Sequence, residues 1–129
     1  MPYIVNHIHI KSKDPKVTAE WFVSAFIVKI VSDTLRSFGD RFVITETEGG
    51  LKINISNERT GETLGPADAD AHYGIEHFGF DTVDIKKDID RLIGLGAELK
   101  EGPIDVPDGP IIAFISAPGD IRIELIESR

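Results

Sequence analysis

The chain has no cysteine, one methionine, one tryptophan and few basic residues for its acid content. Without cysteine there is no disulfide framework, no thiolate nucleophile and no Cys-based zinc site, so any metal chemistry falls to His, Asp, Glu or amide oxygen. Fourteen Lys and Arg face 22 Asp and Glu, a net charge of −8. That balance excludes a nucleic-acid partner and an anionic membrane surface, both of which reward clustered cations. No apolar run approaches the ~20 residues of a membrane span, and Met1-Pro2-Tyr3 lacks the basic and apolar regions of a signal peptide. A cytoplasmic protein is expected. A chain of 129 residues is one domain by default.

What is present is an internal echo. Slid along itself until His7 meets His77, the chain also aligns Asp14 with Asp84 and Gly49 with Gly119. After those glycines, Leu51-Lys52-Ile53-Asn54-Ile55 is answered by Ile121-Arg122-Ile123-Glu124-Leu125. Identity is sparse, and amphipathic strands resemble one another by chance. Two copies of one module of about 60 residues are the reading adopted, and two units pair rather than stack as a solenoid.

Each module reads as strand, helix, then strands. Ile8 and Ile10 alternate with His7 and His9 within Tyr3 to Lys11, the period of a half-buried strand. Asp14-Pro15 supplies an N-cap and a first-turn proline, followed by Val17, Trp21, Phe22 and Ala25 at helical spacing. Strands are expected near Val28 to Ser32, Arg41 to Thr45 and Leu51 to Ser56. The second module repeats this with a strand over Ile75 to Thr82, and Asp84 caps a helix with Ile85, Ile89, Leu92 and Ile93 inward, ended by Gly94 or Gly96. Lys100 to Pro110 is loop or edge strand, while Ile111 to Ala117 and Ile121 to Glu127 close the module. Asn57 to Gly74, polar and aperiodic, is the linker, leaving module one at about 1–58 and module two at about 75–129.

Alternation puts His7 and His9, then Asn54, then His77, then Glu124 on the faces opposite the helices. Such a face can simply meet solvent. The repeat, however, sets His7 with His77 and Asn54 with Glu124 at equivalent positions, and two imidazoles with a carboxylate suit a borderline divalent ion.

These residues resemble the vicinal oxygen chelate superfamily, the glyoxalase, bleomycin-resistance and extradiol dioxygenase fold. The marks span nearly the whole chain: Asn6-His7-Ile8-His9-Ile10 before Asp14 and Trp21-Phe22, Gly50-Leu51-Lys52-Ile53-Asn54, Glu76-His77-Phe78-Gly79-Phe80, and Ala117-Pro118-Gly119-Asp120 leading into Ile121-Arg122-Ile123-Glu124. The resemblance implies an α+β fold of two paired βαβββ modules, an eight-stranded cup around one divalent ion (Fe, Mn, Zn, Ni or Co) held by His7, His77 and Glu124. It implies a small-molecule substrate bound through adjacent oxygens, with lyase, isomerase or ring-cleaving dioxygenase chemistry, and a homodimer is the expected assembly. The fourth ligand of glyoxalase I falls on Asn54, which favours the three-ligand sets seen in extradiol dioxygenases and fosfomycin-resistance transferases. The alternative is a metal-free ligand-sequestering protein of the bleomycin-resistance type, whose members have lost the residues kept here.

His9, beside His7 and opposite Gly79 in the repeat, is the candidate acid-base residue. His72 belongs to the linker and is expected to be solvated. Arg59 and Arg122 are candidates for holding an anionic substrate, against the commoner fate of exposure or ion pairing. Glu76 borders His77 but by parity is turned to the opposite face.

Overall fold

The structure, a computed structural model, describes all 129 residues. Contacts divide the chain into two compact units, Met1–Gly65 and Pro66–Arg129. Each repeats one order: a strand, a helix, then three strands.

In the first unit β1 (His7–Lys11) precedes α1 (Pro15–Phe26), then β2 (Lys29–Leu35), β3 (Arg41–Glu46) and β4 (Lys52–Ser56). The sheet order is β1-β4-β3-β2, with β1 parallel to β4 and the other pairs antiparallel. The Asp14 side chain accepts from the Val17 amide at 3.3 Å and Pro15 occupies the first turn, where its missing N–H costs nothing. Ala19, Phe22 and Ala25 then bury against Ile10, Val43, Ile53 and Ile55. Val17, expected inward, is 60% exposed because the buried stripe runs through Ala19 instead. The helix ends on Ile27, whose φ of 58° is left-handed. A β-branched residue is costly there, and the glycine that normally relieves the strain is absent.

In the second unit β5 (Phe78–Asp81), α2 (Ile85–Gly94), β6 (Glu98–Asp105), β7 (Ile111–Ala117) and β8 (Ile121–Glu127) form a sheet of order β5-β8-β7-β6. Asp84 caps α2 by accepting from the Lys87 amide at 3.2 Å, as Asp14 does in the first unit. Ile85, Ile89 and Leu92 bury against Ala113, Ile115, Ile123 and Leu125, whereas Ile93 is 46% exposed and does not join them. The proline-rich stretch is edge strand as far as Asp105, where β6 ends, and a turn closed by the Val106 amide on the Pro110 carbonyl thereafter; the pairing of β6 with β7 slips between Leu99 and Glu101 and again before Ile104.

The connection is less free than its composition implies. Lys11 Nζ donates to the Asn57 carbonyl at 2.9 Å, and the Thr60 amide donates to the Phe38 carbonyl at 2.9 Å, so its first residues belong to the first unit. Ala69 is buried in the second. No helix is long and apolar enough to cross a membrane.

Candidate functional site

One face of each sheet is covered by its helix, and the other carries the polar side chains. In the first unit His9 lies in register with Asn54, and Asn54 with Ile44 of β3. His7 is exposed, and its Nδ1 donates to the side-chain oxygen of Asn6, which leaves Nε2 without a partner. His9 Nε2 shares a 2.7 Å hydrogen bond with Ser56 Oγ, and its ring lies 5.4 Å from that of Phe42. Burial, followed by the charges of Lys11, Arg36, His7 and Arg59, pushes His9 below the ordinary histidine value and favours the neutral ring. Asn54 Oδ1 is buried and accepts no hydrogen bond. A buried carbonyl oxygen left unsatisfied costs on the order of 1–3 kcal/mol, which leaves this atom available to a donor or a cation.

In the second unit Glu124 pairs in register with Gly79 on one side and Phe114 on the other. His77 Nε2 stands 3.7 Å from Glu124 Oε1, beyond hydrogen-bond reach. Glycine at position 79 makes the room: a Cβ there would sit 3.3 Å from the Glu124 carbonyl oxygen and 3.7 Å from Oε1. His77 Nδ1 donates to Glu76 Oε1 at 3.0 Å, and the same oxygen accepts from Arg122 Nε at 2.9 Å. These bonds, the arginine first, hold the Glu76 carboxyl below the usual carboxylate range. The expectation that Glu76 faces away therefore fails. Regular strand begins only at Phe78, so the alternation used to orient Glu76 does not extend to it. Arg122 also reaches the Ala69 carbonyl at 3.2 Å and Glu101 at 3.5 Å, with its guanidinium 4.2 Å from the Phe114 ring centre. It is consumed as a structural cation. His72 is exposed, as expected, with Nδ1 donating to the Tyr73 carbonyl at 2.9 Å.

Of the sequence candidates, His77 and Glu124 are thus brought together, His9 joins Asn54 and Ser56, and His7 stands on the same strand as His9. Neither unit by itself gathers three metal-ligating side chains. The donors present fit a divalent ion in their chemistry: an imidazole nitrogen freed by its neighbour's hydrogen bond, a carboxylate oxygen beside it, and in the first unit a second freed imidazole and an orphaned amide oxygen. Residues missed at the sequence level are Asn6 and Glu76, each binding Nδ1 of the histidine that follows it. The repeat carried that signal, since the two are equivalent and both bring a side-chain oxygen.

Comparison with known proteins bears on this geometry. A glyoxylase/bleomycin resistance protein/dioxygenase domain from Frankia sp. EAN1pec shares the fold at a TM-score of 0.77 and 20% identity, covering 100% of both chains. The glyoxalase family protein of Enterococcus faecalis matches at a TM-score of 0.74 and 20% identity over 96% of this chain and 97% of its own. The fosfomycin resistance protein FosX of Listeria monocytogenes, complexed with Mn(II) and sulfate ion, matches at 0.74 and 18% identity over 100% and 95%. At such identities the likeness is one of fold. No curated protein matches by sequence. Residues 4–125, nearly the whole chain, match the profile of one family, and with its strand order, capped helices and polar sheet faces this chain belongs to the Glyoxalase/Bleomycin resistance protein/Dioxygenase superfamily.

Proposed function

We propose that the protein is a divalent-metal-dependent enzyme acting on a small molecule with adjacent oxygens, with His7, His77 and Glu124 as metal ligands and His9 as the acid-base residue. The observation that carries this reading is the His77–Glu124 pair. Its two donor atoms lie 3.7 Å apart and do not hydrogen-bond each other. Glu76 takes the other imidazole nitrogen, itself oriented by Arg122, which is how a ligating histidine is fixed in one tautomer. A bound divalent ion would supply Lewis acidity, stabilising oxyanion charge as it develops on the substrate. His9, kept neutral by its surroundings and held through Ser56, would accept or return a proton at Nε2 once the serine hydroxyl rotates away. Asn54 Oδ1 offers a weak further oxygen donor. Lyase or isomerase chemistry and ring-opening dioxygenation are both compatible with this donor set, and a homodimer is part of the proposal.

The test is elemental analysis of purified wild type beside His7→Ala, His77→Ala and Glu124→Ala, with Lys52→Ala as control. About one metal per chain is expected in wild type and in Lys52→Ala, with occupancy lost in the three ligand variants. Oxygen-consumption screening then separates dioxygenation from oxygen-independent chemistry. Equal metal content in all five proteins, or none in wild type with no affinity on titration, would transfer the protein to the ligand-sequestering class.

A further inference from the structure

The sequence contains six arginines. Arg36 pairs with Asp40, Arg41 with Asp33, Arg91 with Asp88, Arg122 with Glu76 and Arg129 with Asp105. Arg59 alone forms no ion pair with a carboxylate, in a chain with a surplus of acid, although Glu62 is near enough to feel its charge. It is nevertheless placed with care. The Thr60 amide binds the Phe38 carbonyl at 2.9 Å and the Arg59 amide binds Glu62 Oε1 at 3.1 Å, pinning the segment onto the β2–β3 turn. The turn admits it only because residue 39 is glycine: φ is +88°, and a Cβ would fall 2.0 Å from Thr60 Oγ1. The Arg59 guanidinium stands 4.8 Å from the Phe38 ring centre. Arg36 lies 5.0 Å from Phe38 and 4.1 Å from Phe42, and Phe42 is 5.4 Å from His9. Cation and ring thus alternate in one row from Arg59 to His9. Asp40, fully buried, neutralises Arg36 with two hydrogen bonds, and Glu62 lies 3.5 Å from Lys11. The unmatched charge of the row is at Arg59, exposed and with its donor fork unfilled.

The geometry points to Arg59 as a ligand-binding residue that receives an oxyanion, a phosphate, phosphonate or carboxylate group, at the rim of the polar face that carries His9. Two features of the side chain suit it to this. A guanidinium donates two parallel hydrogen bonds to such a group, and the Phe38 ring beneath it limits the rotamer freedom lost on binding. The inference deepens the proposed function by naming the substrate as an anion, and it rests on the reading of this face as the ligand-facing one.

The experiment is titration of the full chain in chelator with inorganic phosphate, methylphosphonate and acetate, followed by NMR at the Arg59 side-chain N–H and the His9 ring. Saturable shifts at both are expected near 10 mM, the range of the millimolar Kd that one charged fork confers. Arg59→Ala and Arg59→Gln should weaken binding about tenfold or more, the loss of a charge-assisted bond, with Arg59→Lys retaining part. Lys29→Ala removes the same charge at the far end of β2 from the Phe38 turn, about 20 Å away at ~3.3 Å per strand residue, and should leave binding within about twofold, because exposed charges are screened beyond a Debye length. His77→Ala should also keep it. No saturable shift in wild type, equal loss in Lys29→Ala, or loss in His77→Ala as complete as in Arg59→Ala would overturn the assignment. The last outcome moves the anion to the metal site, and failure of the metal reading alone leaves the phosphate result standing.

Discussion

The two units share one plan and differ in how their polar faces are satisfied. Asn6 binds Nδ1 of His7 as Glu76 binds Nδ1 of His77, and Asp14 caps its helix as Asp84 does. On the second face the arginine has a partner within the unit: Arg122 pairs with Glu76, which also accepts from His77, and Arg122 takes Glu101 as well. The first face leaves an amide oxygen at Asn54 and a guanidinium at Arg59 without one. At the register position where β4 sets Asn54 beside His9, β8 sets Glu124 beside Gly79. Imidazole next to amide in one unit becomes an empty position next to carboxylate in the other. A duplicated scaffold keeps its backbone solution while the polar face of each copy diverges, because most of the buried apolar side chains lie on the helix-covered face.

The comparison is most sharply broken at the residues before the histidines. Glu76→Ala should lower metal affinity about 10- to 100-fold, the usual effect of removing the group that orients a ligating histidine, and Asn6→Ala should do the same through His7. Calorimetric metal titration of both variants decides it. An unchanged affinity in Glu76→Ala would mean that the second face is an ion-pair network with no part in holding metal.

Helix ends give a smaller contrast. Ile27→Gly should stabilise the protein by about 1 kcal/mol in denaturant unfolding, because glycine enters the left-handed region without strain and residue 27 is 83% exposed. Gly96→Ala, at φ +102°, should destabilise by about 1 kcal/mol. If Ile27→Gly destabilises instead, the isoleucine makes contacts that outweigh its backbone cost.

The smallest effect is one of pH. Hydrogen bonds from Arg36 hold the Asp40 carboxyl below the usual carboxylate range. A depressed carboxylate contributes stability that is fully present above its unfolded value near ~4 and is lost as pH falls through the lower folded value. The melting temperature of wild type should exceed that of Asp40→Asn at neutral pH, with the gap narrowing in acid. A gap constant across the titration would show that Asp40 acts by shape and not by charge.

Much of this plan was legible in the sequence because it depends on local rules. Asp14-Pro15 and Asp84 mark helix starts through hydrogen bonds three residues long, and the alternation around His7 and Glu124 needs only the pleat of a strand. Glu76 was misplaced because parity holds only where the strand is regular. Val17 and Ile93 were misplaced for a related reason, since helical spacing names a stripe but the width of the buried stripe is set by what packs on it.

The sequence by itself determined the order of elements, the duplicated module and the residue types able to hold a divalent ion, because propensity, capping and periodicity act over a few residues. Tertiary structure decided which charges are consumed and which are left available. Arg122 and Arg59 are equally plausible anion binders as letters, yet Glu76, Glu101 and the Ala69 carbonyl surround one while an aromatic ring and a glycine turn present the other. The physical reason is that hydrogen-bond partners are assigned by distances of about 3 Å between residues remote in the chain, a scale that only the folded backbone sets.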